Sequence, residues 1–311
     1  MTGKLFKYCF VVLLMLGTLV SNAQQDPMFT QYMNNPGIIN PAYSGSSGNV
    51  NLNGIFRKQW LGFDWSPMTT SLSASTPIEK YDLGLGLTLV DDQLGPLHQT
   101  GLYIDYAKFF RFAKRRNLAL GLKTGFNYID IDLFNLYMNE PDPHIANNPY
   151  RKKFLPNFGV GAFYFTPKFY AGLSVPKLIR NSISDSENTN VVLGREERHY
   201  YFTMGYVYTI DDPVWKVKAS MMSRLVEGAP PSVELTATVI LYERLWFGLA
   251  YRFGDAIAIH GRFQVDERFQ IGYSYDLNNS RLRKYNSGSH EIFLSYDFSF
   301  RGQRILSPRY F

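Results

Sequence analysis

Residues 269–276 read Phe269-Gln270-Ile271-Gly272-Tyr273-Ser274-Tyr275-Asp276. Large apolar side chains take every odd position and small or polar ones every even position. Successive side chains of a strand point to opposite faces, so this stretch is a strand with one apolar and one polar face. The last such segment repeats the pattern, with Ile292, Leu294, Tyr296, Phe298 and Phe300 against Glu291, Ser295, Asp297 and Ser299. Leu118, Leu120, Leu122, Phe126 and Tyr128 stand against Ala119, Gly121, Lys123, Gly125 and Asn127. Leucine fills every odd position from Leu83 to Leu89, and Tyr200, Phe202, Met204, Tyr206 and Tyr208 share one face.

Fourteen segments of this kind follow one another, over 49–57, 69–76, 82–90, 98–109, 117–129, 156–165, 168–175, 199–209, 214–222, 232–241, 244–253, 255–264, 267–276 and 290–300. Most are near the roughly 9–11 residues a tilted strand needs to cross a bilayer. Their number is even, as in single-chain outer-membrane barrels. Such barrels alternate short periplasmic turns with longer outer loops. With the first strand rising from the periplasm, the outer connections are 58–68, 91–97, 130–155, 176–198, 223–231, 254 and 277–289. The periplasmic ones are 77–81, 110–116, 166–167, 210–213, 242–243 and 265–266, and all four longest connections fall on the outer side. A soluble sandwich gives no reason for that asymmetry. The expected fold is therefore all-β, a transmembrane outer-membrane antiparallel β-barrel of about 14 strands. Phe109, Phe165, Tyr242 and Phe253, at strand ends, are expected in the interfacial aromatic girdles. The inward face is largely Gly, Ser, Thr and Asn with occasional charge, which suits a wet or plugged lumen.

The first residues have a different character. Lys4 and Lys7 precede an apolar run from Tyr8 to Val20, and Ser21-Asn22-Ala23 follows. That order is a secretory signal peptide cleaved after Ala23, and the run is shorter than the roughly 17–25 residues of a spanning helix. Removing residues 1–23 takes away two lysines and no acid, leaving 30 basic against 26 acidic residues, a charge of +4. The single cysteine, Cys9, lies in that leader, so the mature chain is expected to hold no disulfide, thiolate metal site or cysteine nucleophile. Aromatic residues make up 16% of the chain and the mean hydropathy is −0.18, a balance that fits strands rather than spanning helices.

Residues 24–48 form a lead-in rich in Pro and Asn, with Pro27, Pro36 and Pro41 among them. Met28, Phe29, Tyr32, Met33, Ile38, Ile39 and Tyr43 make it too apolar for a solvated tail, so it is expected to be ordered, in the lumen or under the barrel mouth. The barrel then occupies 49–300, and 301–311 is a C-terminal periplasmic tail.

Gln31-Tyr32-Met33, then Asn40-Pro41-Ala42-Tyr43-Ser44-Gly45, then Arg57-Lys58-Gln59-Trp60-Leu61-Gly62, with Pro67 and Thr69 after it, resembles the opening of the PorP/SprF family. Asp91-Asp92-Gln93-Leu94-Gly95-Pro96, Asp105-Tyr106-Ala107 and the closing Pro308-Arg309-Tyr310-Phe311 also fit. Asn34 stands where the family more often has an apolar residue, and Asp91 where it more often has Asn. The resemblance implies an outer-membrane component of the type IX secretion system of Bacteroidetes. It implies support for export or surface attachment of large adhesins of the gliding type, and partners in the periplasmic secretion ring.

Little in the sequence suggests catalysis. His98, His144, His199, His260 and His290 are scattered without ligand spacing. Gly84 and Gly86 lie inside a strand rather than at a strand-to-helix turn, against a nucleotide loop. Asp91-Asp92 and Asp211-Asp212 read as turn residues, with weak calcium binding as the alternative. No Ser-His-acid order stands out. No enzyme activity, cofactor, metal or nucleic-acid partner is therefore expected. Partner-binding candidates are Asn40, Pro41, Tyr43, Arg57, Gln59 and Trp60, together with Arg111, Lys114, Arg115 and Arg116 on a periplasmic turn, suited to acidic faces of a ring protein. Arg301, Arg304 and Arg309 follow the last strand; Arg281, Arg283 and Lys284 lie in an outer loop, facing lipid phosphates. Loops 130–155 and 176–198 are candidate contacts for a large secreted adhesin or its C-terminal domain. Leu133, Phe134, Leu136, Tyr137 and Met138 make the first apolar enough to plug the barrel or meet another protein. The alternative function is a porin-like or hydrophobic-solute channel.

Overall fold

The computed structural model describes residues 27–113, 116–132, 150–184, 192–279 and 281–298. The alternation folds as expected, into strands β1 (Val50–Lys58), β2 (Met68–Ile78), β3 (Leu83–Leu94), β4 (Leu97–Ala113), β5 (Arg116–Asp132), β6 (Tyr150–Phe165) and β7 (Phe169–Val175). A small hairpin, β8 (Ser182–Ser184) and β9 (Val192–Arg195), interrupts the series. Then come β10 (His199–Asp211), β11 (Trp215–Val226), β12 (Ser232–Leu241), β13 (Leu245–Arg252), β14 (Ala256–Gln264), β15 (Phe269–Asn278) and β16 (Ser289–Phe298). Without β8 and β9, fourteen antiparallel strands close into a barrel, because β1 pairs with β16 from Val50↔Phe298 to Lys58↔His290. Closure leaves no unpaired edge, the condition for a sheet to sit in lipid.

The two faces divide by chemistry, in the reverse sense to a soluble protein. Leu85, Leu87, Leu89, Ile104, Leu120, Leu122, Tyr206, Ile271 and Tyr273 are exposed on the outer wall. Asp105, Lys123, Asn127, Glu234, Arg252, Asp276 and Glu291 are buried in the interior. Register fixes which set faces lipid, since a slip of one residue would turn every apolar side chain inward.

Several expectations need correction. Residues 91–97 are not a loop: the ladder continues through Asp91↔Thr100 and Gln93↔His98 to a tight turn at Gly95-Pro96, where Gly95 has φ +57°. Polar side chains beyond the bilayer still pair their backbones, so the strand outlasts its apolar pattern. Asp91 and Asp92 accordingly lie in β3, not in a turn, with Asp91 accepting from Thr100 and Asp92 from Thr69. β5 and β6 likewise extend into the expected 130–155 loop, pairing as far as Asp132↔Tyr150. Residues 133–149, with the apolar group from Leu133 to Met138, lie outside the described residues, as do the leader and the tail 301–311. Phe109 and Phe165 are not girdle residues. They turn inward and pack edge to face at 6.3 Å, next to Phe163, because the lead-in supplies an apolar partner there in Tyr43. Tyr242 and Phe253 do face outward.

Candidate functional site: a plugged lumen

The lead-in fills the lumen. Its prolines and asparagines give three short 3-10 turns, Tyr32–Asn34, Pro36–Ile38 and Pro41–Tyr43, in place of a strand or long helix. Pro36 and Pro41 sit at the first position of their turns, where a missing N–H costs nothing. Asn40 caps the third turn, its side-chain oxygen accepting from the Ala42 N–H at 3.0 Å.

One end of the plug is held by charge. Glu291 accepts from the backbone N–H groups of Thr30 and Gln31 at 2.9 and 2.8 Å. The Thr30 hydroxyl donates to Asp276 at 2.6 Å. Arg57, 2% exposed, bridges Asp276 at 2.8 Å and Glu291 at 3.1 Å and donates to the Thr30 hydroxyl at 2.8 Å. Arg252 pairs with Glu234 at 2.7 Å and Asp255 at 3.0 Å. Charges taken out of water persist only when paired and hydrogen-bonded, and the plug backbone supplies part of that pairing.

The other end is held by shape. A Cβ on Gly121 would stand 2.2 Å from the Ala42 nitrogen, one on Gly84 1.9 Å from the Ser44 carbonyl oxygen, and one on Gly161 2.1 Å from the Asn40 side chain. Only glycine lets the plug backbone approach the wall this closely. Asn40 donates to the Ala162 carbonyl at 3.1 Å, and Ser174 donates to the Ile39 carbonyl at 2.7 Å. Tyr43 packs edge to face on Phe163 at 5.5 Å.

The two ends sit on opposite walls. β15, which holds Thr30, and β6, which holds Asn40, are seven strands apart either way round the barrel. Between them Asn35 donates to Ser73 on β2 at 2.8 Å, Arg262 on β14 donates to Asn34 at 3.0 Å, and Tyr32 and Met33 pack with Tyr201 and Met222. The polar Asn34 thus has its own lumen partner. A cavity of about 60 Å³ remains between plug and wall, lined by Phe29, Ile38, Tyr103, Lys123 and Tyr201 among others. Lys123 there pairs with Asp105 at 2.8 Å. Above it Asn157 exchanges two 2.9 Å bonds with the backbone of Ile179, holding the start of the connection after β7 against the mouth.

The candidate residues separate into three groups. Asn40, Pro41, Tyr43 and Arg57 all face the lumen, the first three at the cradled end of the plug and Arg57 at the charged end, where their partner is the chain itself. Gln59 and Trp60 lie at the long-loop end, with the Gln59 N–H bonded to Pro67 and the Trp60 N–H to Ser289. Arg111 pairs with Asp82 at 2.8 Å at the short-turn end, near the exposed Arg116; Lys114 and Arg115 lie outside the described residues. Thr30, Asp276, Glu291, Arg252 and Glu234 were not singled out from sequence. Their signal was charge on the polar face of otherwise greasy strands, but which charges meet depends on the closed sheet. Histidines are held singly: His98 by Asp91 at 2.9 Å, His260 by Thr238 at 3.1 Å, His290 by Tyr273 at 2.6 Å.

Among solved structures the chain is similar to the CymD monoaromatic hydrocarbon channel, with a TM-score of 0.52, 12% identity, and 93% of this chain and 96% of that chain covered. It is also similar to Omp33 of Acinetobacter baumannii, with a TM-score of 0.47, 9% identity, and 80% and 98% covered. A search of curated protein sequences finds no match. A sequence profile of the PorP/SprF family, described as type IX secretion system membrane proteins, matches residues 21–296. Fourteen closed strands with a greasy outer wall, and that match over most of the length, make this chain an outer-membrane β-barrel belonging to the PorP/SprF family of the type IX secretion system.

Proposed function

We propose that this barrel works without enzymatic chemistry, supporting export or surface attachment of large adhesins of the gliding type. The observation that carries the reading is the plug, pinned to opposite walls across the full width of the lumen. A barrel filled by its own chain suits a membrane platform better than a solute path. On this reading the short-turn end, with Arg111, Lys114, Arg115 and Arg116, meets acidic faces of the periplasmic secretion ring. The long-loop end meets the adhesin or its C-terminal domain, and Gln59 and Trp60 belong to that end. The lumenal residues Asn40, Pro41, Tyr43 and Arg57 act through the plug they hold. Removal of residues 1–23 on export completes the reading, and N-terminal sequencing of the mature protein should begin at Gln24.

Quantitative proteomics of cell surface and medium, with and without the gene, is the test. Loss of one large adhesin makes this a dedicated partner; loss of many secreted proteins makes it part of the core machine. An unchanged secretome overturns the proposal. It would favour the second reading, a hydrophobic-solute channel, which draws on the fold likeness to the hydrocarbon channel. That reading requires steady conductance or solute flux through the purified barrel in planar bilayers.

A further inference from the structure

The connection 59–67 at the long-loop end exposes an unusual set of side chains. Leu61, Phe63 and Trp65 are 44%, 37% and 54% exposed in consecutive odd positions. Neighbouring loops extend the patch. The Leu61 N–H donates to the Gly288 carbonyl at 2.8 Å and the Ser287 N–H to the Leu61 carbonyl at 2.7 Å, tying it to residues 281–288 and their exposed Tyr285. The Gly95 N–H donates to the Trp65 carbonyl at 3.2 Å, bringing in the exposed Leu94.

This patch is set apart from the apolar outer wall. The apolar outer wall ends below it, at Phe56 on β1 and Leu89 on β3. Next comes a polar tier. Lys58 donates to the Ser66 carbonyl at 2.9 Å, and Asp91 holds His98 and Thr100 at 2.9 and 2.8 Å. The patch stands beyond that tier, at the tip of the β3–β4 turn. Trp60 and Trp65 also take φ of +47° and +64°. Bulky residues avoid this left-handed region, and such strain gathers at functional positions. The flank is basic, with exposed Arg283 and Lys284 against the single exposed Asp64 in 59–67.

We infer that Leu61, Phe63, Trp65, Leu94 and Tyr285 form a docking surface for an exported polypeptide, taking an apolar segment flanked by acidic residues. Aromatic anchors with two cations on one flank suit that chemistry, since aromatics and Arg carry most interface energy and charge steers the encounter. The inference rests on the proposed role in surface attachment and names where the cargo is held.

The test compares four strains: wild type, gene deletion, the triple variant Leu61→Ser/Phe63→Ser/Trp65→Ser, and the charge reversal Arg283→Glu/Lys284→Glu. The adhesin that the deletion releases is quantified on cells and in medium, with heat-modifiable migration of the barrel as the folding control. The triple variant should fold and lower the surface-held adhesin about tenfold or more, the scale of losing interface anchors. Charge reversal should lower it less, in the same direction. A deletion without effect sinks the functional role itself. A deletion that strips the adhesin while both variants retain it sinks only the docking surface. Should the triple variant misfold, the charge reversal alone decides. Reconstitution in vesicles of brominated phosphatidylcholine tests the competing occupant: fluorescence quenching that disappears in Trp65→Phe would assign the patch to lipid and overturn the inference.

Discussion

The two ends of the plug are held by different physics. At Thr30 and Gln31 the wall offers carboxylates and an arginine; at Asn40 to Ser44 it offers the absence of side chains. The charged end is undone by removing atoms, the cradled end by adding them. Each anchor also fails differently. A lost charge partner strands the others in a low-dielectric interior, whereas an added Cβ pushes the plug away and leaves the wall intact.

The largest effect should come from breaking the charged end. Arg57→Ala leaves Asp276 and Glu291 buried without their shared cation, a cost of about 3–5 kcal/mol. Urea unfolding of the barrel in detergent measures it, and protease access to residues 27–45 should rise together with it. An unshifted unfolding midpoint would mean the pins do not bear on the fold.

Attacking the cradled end should cost less and act on the lumen. Gly121→Val forces the wall side chain into Ala42, an overpacking cost of about 1–3 kcal/mol. The expected readout is conductance in planar bilayers where the wild-type barrel gives none that is steady. If this variant stays closed, the plug has slack that the close approaches do not suggest.

Asn40→Ala is a milder probe of the same end. It removes the cap on Ala42 and the bond to the Ala162 carbonyl, together about 1–2 kcal/mol. Occasional channel openings, fewer than with Gly121→Val, should appear in single-channel recordings.

The smallest effect should lie on the short turn after β14, away from the plug. Asp266 accepts from the N–H groups of Arg268 and Phe269 at 2.7 and 2.8 Å, and these bonds hold its carboxyl below the ordinary aspartate range. A lowered folded-state value stabilises above the unfolded value and is lost as pH falls through the folded one. Asp266→Ala should therefore slightly lower the unfolding midpoint at neutral pH, with the gap closing in strong acid and conductance unchanged. A gap that persisted in acid would separate the loss from the carboxylate's charge.

Much of this barrel was legible because lipid imposes one rule on every strand. Leu85, Leu87 and Leu89 announce the outer wall, and Gly84 and Gly86 between them the inner one. The same rule made Phe109 and Phe165 look like girdle residues, since an apolar side chain facing an apolar plug has the same spelling as one facing lipid. The plug was legible only as an apolar, Pro-rich stretch that had to go somewhere. Arg57 was picked out by its motif, but its carboxylate partners lie more than two hundred residues away, across a seam that exists only when β1 meets β16.

Sequence by itself determined the period-two walls, the strand count, the placement of the longest connections at one end and the family, because each is written locally along the chain. Tertiary structure alone decided that the lead-in crosses the lumen, that Asp276 and Glu291 hold it at one wall and glycines admit it at the other, and that three loops bring Leu61, Leu94 and Tyr285 together at one end. Closure of the sheet brings together residues that nothing in their order connects, and the free energy of burying charge and of close backbone approach then selects which of them meet.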